Sequence, residues 1–173
     1  MIATAAPPGD TRAGDPGGPV EVLLVCTAGG HLLQLWSLRE SWRDYEHAWV
    51  VGSHGGGDVE SLLAGERIHY AHSPAARSLK NAVRNLWLAW RLVGRLRPRV
   101  LVTTGAAVAV PFAWIARLRG VKVTYVETLA RADKPSLSCR LAAPVADRVY
   151  VQWPELQPAV PRGRYAGTVF GER

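Results

Sequence analysis

Val22-Leu23-Leu24-Val25-Cys26-Thr27-Ala28-Gly29-Gly30-His31 opens the regular part of the sequence and decides its fold class. Four apolar residues in a row, with no polar alternation, suit a strand buried on both faces, as in a parallel sheet. Gly29-Gly30 then turns the chain, and a helix is expected over residues 31–42. Backbone N–H groups of such a turn, together with the positive end of the helix, can face an anion. The same turn also serves as a tight strand-to-helix connection with no ligand. It is neither GxGxxG nor GxxxxGK[ST], so the dinucleotide fingerprint and the Walker loop are both absent. His31 falls in the first helical turn, where the dipole works against an imidazolium charge and favours a ring able to accept a proton.

Outward from this stretch the plan repeats. A strand is expected over residues 47–51, running into Gly52-Ser53-His54-Gly55-Gly56-Gly57, where His54 reads as a flexible loop residue. Asp58 is placed to cap a short helix through Leu63, and residues 68–71 read as a strand. The longest helix should cover residues 78–96, stopping ahead of Pro98 because the residue before proline avoids helical geometry. A strand at 100–102, a small-residue turn Thr103-Thr104-Gly105-Ala106-Ala107, a helix over 107–119 with Gly120 as its stop, and a strand at 121–126 complete a second unit. A helix near 135–143 and a strand near 148–151 follow, then a proline-spaced segment. Strands alternating with helices predict an α/β, Rossmann-like open parallel sheet.

In the expected order, third, second, first, fourth and fifth strand, the two small-residue turns face one crevice at the carboxyl ends of the strands. A diphosphate between Gly29, Gly30, Thr104, Gly105 and Ala106 fits that crevice, although small residues also serve close helix packing. Glu127 ends the strand at 121–126 on the same edge, where a carboxylate can orient a sugar hydroxyl or act as a general base. His69 and His72 lack a third ligand, so no metal site is expected.

The chain has 173 residues, 48% of them hydrophobic, enough for one core-bearing domain over residues 20–173. Residues 1–19, rich in Pro and Gly, read as a disordered tail with neither signal-peptide regions nor a membrane span. Cys26 and Cys139 show no disulfide or zinc spacing. The net charge of +7 points to anionic partners. Between Arg67 and Lys122 lie 11 bases and no acid. On the long helix Leu79, Val83, Leu86, Trp90 and Val93 are expected to face the core, with Lys80, Arg84, Trp87, Arg91 and Arg95 as a neighbouring basic stripe suited to an anionic membrane surface. A solvated charged face is the plainer alternative. No recognised nucleic-acid module accompanies the charge, so no nucleic-acid partner is expected.

Several ordered segments carry a resemblance: residues 24–31, 104–112, 125–131, 135–138, 151–156 and 165–170. Together they resemble the PssD family of polysaccharide biosynthesis proteins, bacterial relatives of the acceptor-side subunit of the two-part N-acetylglucosaminyltransferase of N-glycan assembly. The family is similar to the amino-terminal half of a GT-B glycosyltransferase such as MurG. The resemblance implies an acceptor half that holds a polyprenyl-diphosphate-linked sugar while a separate PssE-like subunit binds the nucleotide sugar, in an inverting, metal-independent reaction with no cofactor, for exopolysaccharide synthesis. It marks His31 as the candidate base, with Glu127 the lesser one, and sets Trp153, Glu155, Tyr165 and Phe170 toward the partner. Eukaryotic relatives carry a membrane-spanning amino-terminal segment where this chain has its Pro/Gly tail, so attachment is expected to be peripheral, on the cytoplasmic face of the plasma membrane, and the chain inactive alone. The rival readings are a one-domain nucleotide-binding oxidoreductase and a basic nucleic-acid-binding protein.

Overall fold

A computed structural model describes residues 11–12, 18–52, 57–74 and 78–171. His54 and most of the expected tail lie outside the described residues. Alternation of apolar strands with helices produces one sheet from β1 (Thr11–Arg12), β2 (Val22–Thr27), β3 (His47–Gly52), β4 (Ile68–Ala71), β5 (Val100–Thr103), β6 (Lys122–Val126), β7 (Arg148–Val151) and β8 (Gly163–Tyr165), in the order β1-β4-β3-β2-β5-β6-β7-β8. Every neighbouring pair is parallel except β1 with β4. The expected order around the first strand is the order found. The register pairs Thr27 with Gly52 and Val25 with Thr103, so β2, β3 and β5 end at one edge.

Helices α1 (Gly30–Ser37) and α2 (Gly57–Leu62) lie on one face, and α3 (Leu79–Leu96), α4 (Ala109–Leu118) and α5 (Leu137–Ala142) on the other. Leu23, Val25, Leu101, Val123 and Tyr125 point into the α3–α5 layer, while Leu24, Cys26, Trp49 and Val51 pack with Leu32, Leu35 and Trp42 under α1. Both cysteines are free and buried, and burial pushes both thiols up.

Four expectations change. α1 stops at Ser37 instead of residue 42, because the buried Trp42 turns inward and its Nε1–H donates to the Leu35 carbonyl, stacking edge-on to Trp49 at 5.2 Å. A 3-10 turn, Arg39–Ser41, bridges the gap. α2 starts at Gly57, which puts Asp58 inside the helix and not ahead of it. Within the expected tail, Thr11–Arg12 pairs antiparallel with β4. After β7 the chain forms a 3-10 helix, Pro154–Ala159, and the three-residue β8, too short after Pro154, Pro158 and Pro161 for a periodicity argument.

The stripe on α3 is the largest correction. The buried residues are Asn85, Leu88, Ala89, Leu92, Val93 and Leu96, while Leu79, Val83, Leu86, Trp87 and Trp90 are exposed. Both stripes have helical spacing. Two features select the inner one. Ala89 is small and buried in the layer shared with α4, whose buried residues are Ala109, Phe112, Ala113, Ile115 and Ala116. Asn85, fully buried, is satisfied only there: its Oδ1 accepts from the His72 N–H at 2.8 Å and its Nδ2 donates to the His72 carbonyl at 2.9 Å.

Candidate active site

The site is built where β2, β3, β4 and β5 end. Gly29 caps α1 with φ 82 and ψ −140, a conformation open to glycine alone, and no side chain caps the helix. The first amides of α1 thus receive no side-chain cap. A Cβ on Gly30 would meet nothing within 4 Å, so its lack of a side chain keeps the helix end open and serves no packing need.

The second turn differs. Gly105 (φ 100) and Ala106 (φ 71) both adopt the left-handed region. A Cβ on Gly105 would lie 2.6 Å from the Tyr125 hydroxyl, so glycine is required there twice over. The Gly105 N–H donates to Thr103 Oγ1 at 3.0 Å, fixing the turn.

His31 and Thr104 join the turns. His31 Nδ1 lies 2.8 Å from the Thr104 carbonyl, and Thr104 Oγ1 donates to the His31 carbonyl at 2.7 Å. A carbonyl only accepts, so Nδ1 carries the proton and, in the neutral ring, Nε2 presents a lone pair. Half-buried His31 is thus fixed in tautomer at the carboxyl edge of the sheet.

Glu127 is bonded within its own loop. Its side chain is fully buried; Oε1 accepts from the Thr128 N–H at 2.8 Å and the Ser136 hydroxyl at 2.9 Å, and Oε2 from the Ser136 N–H at 2.8 Å. Ser136 caps α5 by accepting from the Cys139 N–H, and Ser138 accepts from the Tyr125 hydroxyl at 3.1 Å. This network fastens the loop after β6 beneath Gly105. The carboxylate is engaged by its own loop and supports the second turn. Burial first, and the Glu127 charge second, push the Tyr125 hydroxyl up.

Two residues that composition and motif reasoning passed over complete the edge. Buried Gln34, one turn after His31, donates to Thr128 Oγ1 at 3.2 Å, and its Oε1 accepts from the Leu129 N–H and from Gln152 Nε2 at 2.8 Å. Gln152 Nε2 also donates to the Glu127 carbonyl, and its Oε1 accepts from the Val169 N–H. The signal available was polarity at helix position i+3 from His31 and just after an apolar strand. Trp153 hangs over the same loop, its Nε1–H donating to the Leu129 carbonyl at 2.7 Å, with Glu155, Tyr165 and Phe170 exposed nearby in the chain. His72, at the end of β4, has its ring pKa lowered by burial and then by the Arg84 charge.

Lys80, Arg84, Trp87, Arg91 and Arg95 are all exposed, on the outer side of α3 together with Leu79, Val83, Leu86 and Trp90. Arg91 stacks over Trp87 at 4.6 Å and Arg119 over Trp90 at 4.0 Å. No described helix is long and apolar enough to cross a membrane. Among the described residues no three His, Cys, Asp or Glu side chains are grouped to hold a metal ion.

Strand order, crevice and glycine turns define a Rossmann-like domain of the kind found as the amino-terminal half of GT-B proteins. Acinetobacter baumannii MurG superposes with a TM-score of 0.69 at 18% identity, over 89% of this chain and 47% of that one. UDP-N-acetylglucosamine 2-epimerase from Rickettsia bellii gives 0.68 at 11% identity, over 87% and 45%. The chain thus spans about half the length of these solved structures.

The family described as "Oligosaccharide biosynthesis protein Alg14 like" matches residues 22–169, and the chain belongs to it. Among its relatives, the UDP-N-acetylglucosamine transferase subunit ALG14 of Eremothecium gossypii is 30% identical over 93% of this chain and 85% of its own length. The subunit of that name from Schizosaccharomyces pombe is 32% identical over 86% of this chain and 82% of its own length. The human one is 29% identical over 49% and 42%. Family membership favours glycosyl transfer over the oxidoreductase and nucleic-acid readings.

Proposed function

We propose that residues 20–173 act as the acceptor-binding subunit of a two-component glycosyltransferase. The chain holds a polyprenyl-diphosphate-linked saccharide at the membrane, and a separate, PssE-like subunit presents the nucleotide sugar. The observation that carries this reading is the reciprocal His31–Thr104 pair, which supports a two-sided cradle and leaves Nε2 free beside it. Gly29, Gly30, Thr104, Gly105 and Ala106 offer backbone groups to the diphosphate. His31 Nε2 takes the proton of the acceptor hydroxyl as its oxygen attacks the anomeric carbon; the bond to the nucleoside diphosphate breaks with its electrons leaving on phosphate oxygen, and the anomeric centre inverts. No step calls for a metal ion or a cofactor.

The exposed apolar and basic face of α3 supports peripheral attachment to an anionic bilayer, at the cytoplasmic side of the plasma membrane. Trp153, Glu155, Tyr165 and Phe170, near the crevice edge, face the donor subunit. Synthesis of an exopolysaccharide repeat is the process this subunit serves. The test is reconstitution with the donor-like glycosyltransferase subunit of the same genome, radiolabelled UDP-N-acetylglucosamine and a polyprenyl-diphosphate-linked monosaccharide. Transfer is expected with both polypeptides and absent with either alone; transfer by this chain alone overturns the half-enzyme reading.

A further inference from the structure

An eight-residue helix is too short to hold its shape and place without tertiary contacts, and α1 has no side-chain cap to help it. Leu32 and Leu35 seat it on the sheet, but apolar contact is non-directional and sets its rotation only loosely. Direction comes from hydrogen bonds at two points one turn apart. His31 and Gln34, at spacing i and i+3, share a face of the helix. The first is tied to the end of β5 through Thr104, the second to Thr128, Leu129 and Gln152, just past the ends of β6 and β7.

The two amides can sit only one way round. The Leu129 N–H needs an acceptor at 3.1 Å, which makes that atom the Gln34 oxygen, and the same oxygen then receives Gln152 Nε2 at 2.8 Å. The Val169 N–H, at 3.0 Å, fixes the Gln152 oxygen in turn and leaves its Nε2 for Gln34 and the Glu127 carbonyl. Backbone N–H groups thus dictate both orientations. Gln34 is 6% exposed and Gln152 2%, so a lost bond strands a polar atom away from water. A pair of leucines would fill the same space and fix no direction; two buried amides, costly to desolvate, hold one rotation of α1.

We infer that Gln34 is the positioning residue for His31 and that Gln152 locks it: the amide pair sets the rotation of α1, and with it where Nε2 stands when the acceptor hydroxyl arrives. The inference rests on the base role proposed for His31 above and adds how the ring is aimed. Proton transfer needs heavy atoms roughly 2.6–3.2 Å apart, so a small turn of α1 costs turnover. Without Gln34 the helix keeps only the His31–Thr104 contact and pivots about it. Gly29 and Gly30, next to that pivot, move least, so the groups offered to the diphosphate stay in place while the ring loses its aim. Both amides are closed off from solvent and act on the reaction through the ring.

The experiment measures kcat and acceptor KM of the full chain reconstituted with the donor-like subunit of the same genome, after circular dichroism confirms each fold, and follows exchange of the His31 Nδ1 proton by NMR in the isolated chain. Gln34→Leu should lower kcat about tenfold or more and change acceptor KM less than about twofold. Gln34→Glu, whose carboxylate can accept from the Leu129 N–H, Gln152 Nε2 and the Thr128 hydroxyl, should restore most of the rate. Added to His31→Ala, Gln34→Leu should lower the residual rate less than about twofold, because a residue that acts through the ring loses its effect with the ring. In the isolated chain Gln34→Leu should speed exchange of the Nδ1 proton about tenfold or more. Should Gln34→Leu not fold, Gln34→Asn, which keeps the amide and shortens its reach, takes its place. A folded variant with parental kcat, or one whose loss multiplies in full with that of His31→Ala, overturns the inference and leaves the two-component reading intact. Parental turnover in His31→Ala removes the base role, and the inference with it. A parent pair that transfers no sugar overturns the two-component reading; proton exchange then decides the inference alone, and parental exchange in Gln34→Leu overturns it.

Discussion

His31 and Thr104 stand 73 residues apart in sequence and exchange two hydrogen bonds, ring to carbonyl and hydroxyl to carbonyl, at 2.8 and 2.7 Å. One contact fixes the imidazole tautomer; the other ties the start of α1 to the end of β5. Ring position and crevice width are therefore set by the same pair.

Replacing His31 with Ala should lower turnover of the reconstituted enzyme about 10²-fold or more, the usual scale for a general base, with partner binding unchanged. Thr104→Val keeps the carbonyl that accepts from Nδ1 and removes only the hydroxyl bond, costing about 1 kcal/mol of stability and a smaller share of turnover. Steady-state kinetics at saturating acceptor checks both. Near-normal turnover in His31→Ala sends the base role to the partner or elsewhere in the crevice.

The two glycine turns should respond oppositely to alanine. Gly30→Ala meets open space at a helix start, so thermal stability should hold or rise while the acceptor KM increases. Gly105→Ala combines φ 100 with a 2.6 Å approach to the Tyr125 hydroxyl and should destabilise by roughly 1–3 kcal/mol or more. Thermal unfolding separates them: equal melting temperatures would remove the distinction between a ligand-facing and a packed glycine.

Glu127→Gln replaces an acceptor of three hydrogen bonds with a group that must aim N–H at a donor. A stability loss of about 1–3 kcal/mol is expected, with the loop after β6 exchanging faster with solvent. Full stability together with a rise in acceptor KM alone would instead return Glu127 to direct substrate contact.

The strand order and the two turns were legible because both depend on local signals, apolar runs and glycines, joined by a general rule of sheet topology. The bonds of Glu127 were not legible, because strand-end position says which edge a residue occupies and nothing of who donates to it; its donors come from Thr128 and from Ser136, which lies beyond an irregular loop. Gln34 and Gln152 were invisible for a like reason: they meet across 118 residues. On α3, two stripes share one period, and only the partner surface, alanines of α4 and the His72 backbone, decides which is inside.

His47 and Glu66 form a pair at 2.8 Å that links β3 to the turn before β4. The hydrogen bond to Glu66 is the main cause raising the His47 pKa above 6.5, and the same bond lowers Glu66 below 4.5. The His47 contribution is complete below pH 6.5 and fades as pH rises through its raised folded value; the Glu66 contribution is complete above pH 4.5 and fades as pH falls through its lowered one. Both act together between those limits. Denaturant midpoints should therefore fall from mildly acid toward alkaline pH in the parent, and Glu66→Gln should flatten that slope; an unchanged slope means the pair is solvent-screened.

The outer side of α3 gives the last prediction. Leu79, Val83, Leu86, Trp87 and Trp90 are exposed between 44% and 82%, an apolar surface that water alone does not favour, and Lys80, Arg84, Arg91 and Arg95 flank it. A bilayer with anionic headgroups satisfies both sets: indole and aliphatic groups enter the interface, and each base near the surface contributes about 1 kcal/mol. The guanidinium of Arg91 over Trp87 already places charge and ring side by side, as headgroup depth demands. Sedimentation with phosphatidylglycerol vesicles should pull the chain down, weakly so with phosphatidylcholine alone or in high salt. Arg84→Glu with Arg91→Glu should weaken binding by about thirtyfold or more, and Trp87→Ala with Trp90→Ala should reduce it while leaving its salt dependence in place. Binding indifferent to lipid charge and to both double variants would leave this face to a protein partner and move membrane attachment to another surface.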